Sequence, residues 1–155
     1  MMVLMSALKE KLRVDLSAAM KARDEVRTRT LRMALTAVTN EEVAGKKARE
    51  LSDDEVVKVL TREAKKRREA AQAFADAGRH EQAAAERAEG EVISGYLPEQ
   101  LSDEELAGLV SAAIAETGAA GSKAMGQVMK VVRPKVGDRA EGGRVAAEVK
   151  RQLDG

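Results

Sequence analysis

The sequence predicts an all-α protein built from two helical domains. Of its 155 residues only Phe74 and Tyr96 are aromatic, while 34% are charged and only two are proline. Strands favour aromatic and β-branched side chains, whereas long helices favour Ala, Glu, Lys, Arg, Leu and Met. Because these helix-favouring residues dominate the chain, we expect amphipathic helices that pack closely around thin cores.

The domain boundary is predicted at Tyr96-Leu97-Pro98. Proline lacks the N–H that a helix interior needs, so a helix should stop before Pro98. Ser102 can cap a new helix, with Glu105 reaching back to the Ser102 N–H. We expect Tyr96 and Leu97 to pack between the two domains, since a flexible linker does not need large apolar side chains. The predicted division is a domain over 1–95, an ordered hinge over 96–101, and a helical bundle over 102–155.

The N-terminal domain begins with two predicted helices that each bury a narrow apolar stripe. Ser6 can cap the first, and Asp24 can cap the second, which should end near Gly45. The stripes consist of Leu8, Leu12, Leu16 and Met20 in the first helix and of Leu31, Ala34, Leu35 and Val38 in the second. Such spacings are typical of helices with one buried face.

A long helical hairpin is predicted to complete this domain. Ser52 can cap its first helix, expected over residues 53–77, and Gly78 suits the C-terminal end. The second helix should cover residues 80–93 and lie antiparallel to the first, because the turn is short. The inward residues of the first helix are predicted to be Val56, Val57, Leu60, Ala64, Ala71 and Phe74.

Three helices are predicted in the C-terminal domain. The first starts at Ser102 and stops at Gly118, and the second is capped by Ser122 and stopped by Pro134. A basic loop with glycines over 135–143 should precede the last helix. The predicted core residues are Leu106, Leu109, Val110, Ala113 and Ile114, then Met125, Val128, Met129 and Val132, then Val145, Val149 and Leu153.

Composition excludes several classes of site. The chain has no cysteine, and therefore no disulfide or thiolate nucleophile. Its single histidine, His80, is too few for most zinc sites, and we interpret it as a surface residue. No phosphate-binding Gly-rich loop and no other autonomous catalytic constellation is visible, so whether the protein is an enzyme stays open. We expect no cofactor and no metal, and a cytoplasmic protein, because no apolar run approaches the roughly 20 residues of a membrane span.

The acidic runs 53–55 and 103–105 have a local explanation. Both lie in the first turn of a predicted helix, where the helix dipole favours negative charge. We therefore interpret them as exposed parts of helix starts and not as metal ligands.

Basic residues concentrate near the C-terminus. Residues 122–151 contain eight basic and three acidic residues, a net charge of +5. The candidate nucleic-acid-binding residues are Lys123, Lys130, Arg133, Lys135, Arg139 and Arg144. Lysine and arginine bind nucleic acids by neutralising phosphates. The alternative is an ordinary solvated basic face, and the absence of aromatic residues in this domain argues against stacking on single-stranded bases.

A second basic cluster lies in the hairpin, at Arg62, Lys65, Lys66, Arg67 and Arg68. Glu63 stands four residues before Arg67, and Glu69 stands four residues after Lys65. Residues spaced in this way are neighbours on a helix surface. We therefore interpret this cluster as partly neutralised within its own helix.

Four segments resemble the GatB/YqeY family, in its order and spacing. They are Ala19-Met20-Lys21-Ala22-Arg23-Asp24 with Thr30-Leu31-Arg32-Met33, then 74–79, then 96–101, and finally 125–129 continuing through Pro134-Lys135 to 139–142. The C-terminal part is similar to the tail domain of the B subunit of tRNA-dependent amidotransferases. The chain departs from the family pattern at 137–143, where one lysine is missing and an acidic residue is added.

The resemblance implies a helical N-terminal domain followed by a small helical tail domain. In the amidotransferase subunit the similar domain helps to hold the tRNA body, while catalysis takes place elsewhere. Family members are accordingly associated with carbon–nitrogen ligation that uses glutamine as amide donor. This resemblance implies tRNA, or an assembly containing tRNA, as the partner. The alternative is a non-catalytic adaptor that binds a protein partner through its N-terminal helices.

Overall fold

The computed structural model describes residues 6–118, 121 and 124–154. The helices are α1 (Ala7–Lys21), α2 (Glu25–Glu42), α3 (Asp53–Asp76), α4 (His80–Ser94), α5 (Asp103–Thr117), α6 (Met125–Val136) and α7 (Gly142–Asp154). A short 3-10 turn, Gly137–Arg139, joins α6 to α7. No strand occurs over these described ranges, and the all-α prediction is confirmed. No described helix combines the length and apolar character that crossing a membrane requires.

The chain forms two compact units, Met1–Leu97 and Pro98–Gly155, and each has its own core. The N-terminal core collects apolar residues from α1 to α4 and from the loop before α3. Its fully buried larger side chains are Leu12, Leu31, Val38, Leu51, Val56, Leu60 and Ile93. Val57 and Phe74, predicted to face inward, are only half-buried.

Four of the predicted helix starts are confirmed by side-chain caps in the structure. The Ser6 hydroxyl accepts the Lys9 N–H, and the Asp24 carboxylate accepts the Arg27 N–H. Ser52 and Ser102 each form a complete capping box with the glutamate three residues later. Because a cap satisfies N–H groups that lack an intrahelical partner, these short-range patterns determine where the helices begin.

The hairpin of α3 and α4 turns at Gly78, which has a positive φ of 76°. The Gly78 N–H donates to the Ala75 carbonyl at 3.0 Å, and the Arg79 N–H donates to the Phe74 carbonyl at 2.8 Å. This pair of bonds is a Schellman motif, which needs a left-handed residue at the position of Gly78. The two helices pack along their length, as predicted from the short turn.

The C-terminal unit is a three-helix bundle with a core of small aliphatic residues. Its fully buried residues include Val110, Val128, Val132 and Val149. The Leu101 N–H donates to the Arg139 carbonyl at 2.7 Å, which joins the segment before α5 to the turn before α7. The bundle therefore closes through backbone contacts as well as apolar packing.

One prediction about α1 and one about α2 were wrong. Met20 was expected in the buried stripe of α1, but it is 49% exposed and Ala19 is buried instead. A spacing of four residues advances roughly 40° around a helix at each step, so a long stripe rotates away from the core. The end of α2 was predicted near Gly45, but the helix already ends at Glu42.

Pro134 was predicted to stop the sixth helix, yet it lies inside α6, which continues to Val136. Proline removes one helical hydrogen bond, and near a C-terminus that single loss is tolerable. The helix ends at Gly137, whose φ of 56° disfavours other residues and whose N–H donates to the Arg133 carbonyl. Lys135 and Val136 are consequently helical and not part of a loop. The predicted cap of this helix, Ser122, lies outside the described residues.

We expect Ser102→Ala to destabilise the C-terminal unit by about 1 kcal/mol, because the Glu105 N–H loses its capping acceptor. The Ser102 hydroxyl accepts that N–H at 3.1 Å. Urea unfolding of the full chain, followed by circular dichroism, measures the change. Ser111→Ala, an exposed change within α5, is the matched control and should leave stability equal or slightly higher. Equal stabilities of the two variants would contradict a capping role for Ser102.

Candidate nucleic-acid interface

Helix α6 presents basic side chains opposite its buried face. Val128, Val132 and Val136 recur every four residues and are buried in the bundle core. Lys130 and Arg133 lie on the other side of the helix and are exposed. Because positions three apart are neighbours on a helix surface, these two cations form a single patch, named here the α6 basic patch.

Neither cation of the α6 basic patch is neutralised by a residue that the structure describes. Over the part of the chain that the structure describes, Lys130 and Arg133 have no ion pair and no side-chain hydrogen bond. An exposed cation without a partner keeps all its donors available for an anion. Arginine adds a planar fork of donors that matches phosphate geometry.

Lys135 is also exposed on α6, but its spacing from Lys130 and Arg133 places it on another side of the helix. Its Nζ lies 2.8 Å from Oε2 of Glu116, and both side chains are about half-exposed. Exposed ion pairs of this kind contribute typically 0–1 kcal/mol. Lys135 can therefore exchange Glu116 for another anion at little cost.

Arg139 is engaged in holding the turn after α6. Its Nη2 donates to the Lys135 carbonyl at 2.5 Å, and its Nε donates to the Val136 carbonyl at 3.4 Å. The last carbonyls of a helix lack intrahelical donors, and a basic side chain there also interacts well with the helix dipole. Arg139 therefore has a structural task that the sequence pattern did not reveal.

Arg144 is likewise occupied. Its Nη2 donates to the Leu101 carbonyl and to Oδ1 of Asp103, both at 2.9 Å. These bonds join the start of α7 to the start of α5. Of the six candidate residues, the structure thus makes Lys130 and Arg133 neighbours on α6 and places Lys135 on another side of the same helix, while Arg139 and Arg144 bond within the bundle. Lys123 lies outside the described residues.

The hinge residues Tyr96 and Leu97 are partly buried against the N-terminal core, and Pro98 is exposed. The Tyr96 hydroxyl donates to Oδ2 of Asp15 at 2.5 Å and accepts from Nη2 of Arg27 at 3.0 Å. The Lys11 ammonium lies 5.2 Å from the ring centroid, within cation–π range. This polar cluster fixes the end of the N-terminal unit, and local sequence patterns do not predict it.

The cluster shifts the pKa values of its own members. Burial, together with the bond to Asp15, raises the pKa of Tyr96 well above its usual value. The pKa of Asp15 is lowered chiefly because the Tyr96 hydroxyl donates to it, with Lys11 and Arg27 adding to the effect. At neutral pH the phenol is therefore protonated and the carboxylate charged, which suits a structural bond more than nucleophilic chemistry.

The other chemical candidates among the described residues do not assemble into a site. His80 is exposed at the first position of α4. Among the described residues, no three His, Asp or Glu side chains are grouped so that they could hold a metal ion. The acidic runs at the starts of α3 and α5 occupy first helical turns, as predicted from the dipole.

The second basic cluster, on α3, is paired as its spacing predicted. Arg67 bonds to Glu63 at 3.4 Å, and the Lys65 ammonium lies 3.9 Å from Glu69. Arg62 also reaches Glu41 on α2 at 3.1 Å. The charges of this surface are thus largely compensated within the N-terminal unit, in contrast to the α6 basic patch.

Comparison with known protein families gives a match. The family model described as Yqey-like protein matches residues 9–153, which is nearly the whole chain. No curated protein shows a significant match to the sequence. The match spans both helical units and confirms the resemblance read from the sequence, so the chain belongs to the YqeY-like protein family.

Proposed function

We propose that this protein binds folded RNA, specifically tRNA or an assembly containing tRNA, through the α6 basic patch. The observation that carries the proposal is the pair Lys130 and Arg133, exposed and without ion-pair partners in the described part of the C-terminal unit. Phosphates are the anions that such a patch binds best, because each contact releases a counterion from the nucleic acid.

The side chains of the C-terminal unit favour contacts with the RNA backbone over contacts with RNA bases. Its residues include no aromatic side chain, since Phe74 and Tyr96 both belong to the N-terminal unit. Recognition of unpaired bases usually relies on aromatic stacking, whereas folded RNA is bound largely by shape and phosphate contacts. A compact bundle with a cationic helix surface suits the second mode.

The proposed context is glutamine-dependent amidation, in which the protein assists through tRNA and does not catalyse. The support is the resemblance of the C-terminal unit to the tail domain of amidotransferase B subunits. In addition, no paired nucleophile and base occurs among the described residues of the α6 surface. Carbon–nitrogen ligation would then be performed by another protein, and the chain would supply RNA affinity.

Binding of labelled tRNA to the full chain tests the proposal, by fluorescence anisotropy at low salt. We expect Lys130→Ala/Arg133→Ala to weaken binding by roughly tenfold, because two phosphate contacts are lost. Lys135→Ala should have a smaller effect, because Lys135 must first leave Glu116. The side chains replaced in these two variants are exposed, so we expect the bundle to fold as in the unmodified chain.

The matched control is Lys46→Ala/Lys47→Ala, which removes the same charge from an exposed loop of the N-terminal unit. This variant should bind tRNA like the unmodified chain. Equal losses in the two double variants would mean that net charge alone attracts RNA. No binding by the unmodified chain would overturn the proposal. Arg139 and Arg144 are left unchanged, since their bonds within the bundle would confuse binding with folding.

A further inference from the structure

A groove of about 740 Å³ lies in the N-terminal unit where α1 ends and α2 begins. Its lining combines the thioethers of Met20 and Met33 with the guanidinium groups of Arg23, Arg29 and Arg32. The α6 basic patch is in the other unit, so the proposed RNA binding does not account for this groove. An open surface that joins apolar and cationic side chains is typical of a protein-binding site.

Arg23 adopts a backbone conformation that favours glycine. Its φ is 57°, and among the described residues it is the only non-glycine with a positive φ. The Asp24 N–H donates to the Ala19 carbonyl and the Arg23 N–H to the Met20 carbonyl, so Arg23 occupies the usual glycine position of a helix end. The arginine at this position bears the steric cost of the left-handed region.

Two guanidinium groups in the groove have unused donors. Arg23 and Arg32 are exposed, and neither has a carboxylate partner in the described ranges. Arg32 Nη2 instead lies 3.7 Å from the Met20 sulfur. Arg29, by comparison, is paired with Glu89 at 2.8 Å. Arg23 and Arg32 can therefore donate hydrogen bonds to carboxylates of another molecule without breaking an ion pair.

The methionines supply an adaptable apolar surface between these cations. Met20 is 49% exposed, and Met33 is half-buried at the position one helical turn beyond Arg29. Methionine is flexible and polarizable, and it is used at surfaces that bind apolar side chains of partner proteins. The groove thus offers an apolar floor flanked by two arginines that have no carboxylate partner among the described residues.

The acidic residues of the groove decide between two kinds of anionic partner. Asp24 and Glu25 line the same groove. A nucleic acid carries negative charge at every phosphate, so these carboxylates would repel it. A peptide can place its carboxylates opposite Arg23 and Arg32 alone and keep other positions neutral or basic.

We propose that this groove binds an acidic amphipathic segment of a partner protein. One or two apolar side chains of the segment pack on Met20 and Met33, and its carboxylates bond to Arg23 and Arg32. Charge-assisted bonds to arginine give both affinity and orientation. The partner is identified by this chemistry, and its binding does not depend on RNA binding by the C-terminal unit.

A displayed library of random 18-residue peptides, selected on the full chain, tests this proposal. We expect the enriched peptides to contain Asp or Glu together with Leu, Ile, Met or Phe at helical spacing. One enriched peptide, made synthetically and labelled, then reports affinities by fluorescence anisotropy. Arg23→Gly and Arg32→Gln should each weaken its binding by about tenfold.

Two controls separate recognition from folding and from bulk charge. Arg23→Gly relieves the left-handed strain, so we expect its thermal midpoint to be equal or higher while peptide affinity falls. Arg87→Ala, an exposed arginine on α4, should leave affinity unchanged. The proposal is overturned if no peptides are enriched, if the enriched peptides lack acidic residues, if tRNA competes for the groove, or if the arginine variants bind equally well.

Discussion

Replacing Lys9 with methionine should destabilise the N-terminal unit by about 3–5 kcal/mol, the largest effect expected in this protein. The Lys9 ammonium lies 2.8 and 2.9 Å from the two carboxylate oxygens of Glu42, and only 5% and 10% of these side chains are exposed. The Leu51 N–H also donates to Glu42, at 3.4 Å. This buried pair joins α1 to the end of α2 and to the loop before α3.

The cost arises because Lys9→Met leaves the Glu42 carboxylate buried without its cation. Burial by itself would raise the pKa of Glu42, but the bond and charge of Lys9 hold that pKa below its ordinary value. The stabilisation is therefore present above the unfolded pKa of about 4.3 and is lost as the pH falls through the lower folded value. Without Lys9 this stabilisation is lost, and the cost of burying the charged Glu42 carboxylate is no longer offset.

Urea unfolding followed by the fluorescence of Tyr96, the single tyrosine of the chain, reports the N-terminal unit directly. Lys21→Met, an exposed lysine on the same helix, is the matched control and should change stability little. The double variant Lys9→Met/Glu42→Leu should recover most of the loss, because apolar side chains can replace a buried ion pair. A loss below about 1 kcal/mol in Lys9→Met would show that the pair is effectively solvated.

Tyr96→Phe should destabilise the same unit by about 1.5 kcal/mol, at the lower end for a hydrogen bond to a charged group because the cluster is partly exposed. The variant keeps the ring and its contact with Lys11, and it removes the hydroxyl that donates to Asp15 and accepts from Arg27. The lost bond is the main reason why the Asp15 pKa is low. The stability difference should therefore depend on pH.

The direction of this pH dependence follows from the lowered pKa of Asp15. The folded pKa lies below the unfolded value of about 3.9, so the contribution of Tyr96 is complete above that value and declines as the pH falls through the folded pKa. Urea unfolding followed by circular dichroism at pH 7 and near pH 3 measures the free energy of unfolding of the unmodified chain and of Tyr96→Phe. In a double-mutant cycle with Asp15→Asn, most of the effect should appear as coupling. A difference that is the same at both pH values would contradict this explanation.

Features encoded by neighbouring residues were predictable from the sequence. Asp24, Ser52 and Ser102 cap helices because their side-chain oxygens reach N–H groups three residues away. Gly78 and Gly118 end helices with positive φ values. Such signals need no knowledge of the tertiary structure, and the all-α fold follows from them together with the apolar spacing.

Features that depend on residues distant in the chain were not predictable. The Lys9–Glu42 pair spans 33 positions, and Arg144 meets Asp103 across 41. Within the candidate interface, Lys130 and Arg133 were chosen for their charge alone, and the sequence could not reveal that Arg139 and Arg144 bond inside the bundle. Charge in a sequence indicates where a surface is basic, and only the packing decides which cations remain free.

The salt dependence of tRNA affinity tests RNA binding by the α6 basic patch most directly. For the full chain, the logarithm of the association constant should fall linearly with the logarithm of salt concentration. Lys130→Ala/Arg133→Ala should make that slope shallower by about 2, one unit for each lost phosphate contact, while Lys46→Ala/Lys47→Ala leaves it unchanged. An identical slope for the unmodified chain and Lys130→Ala/Arg133→Ala would show that the patch does not contact phosphates.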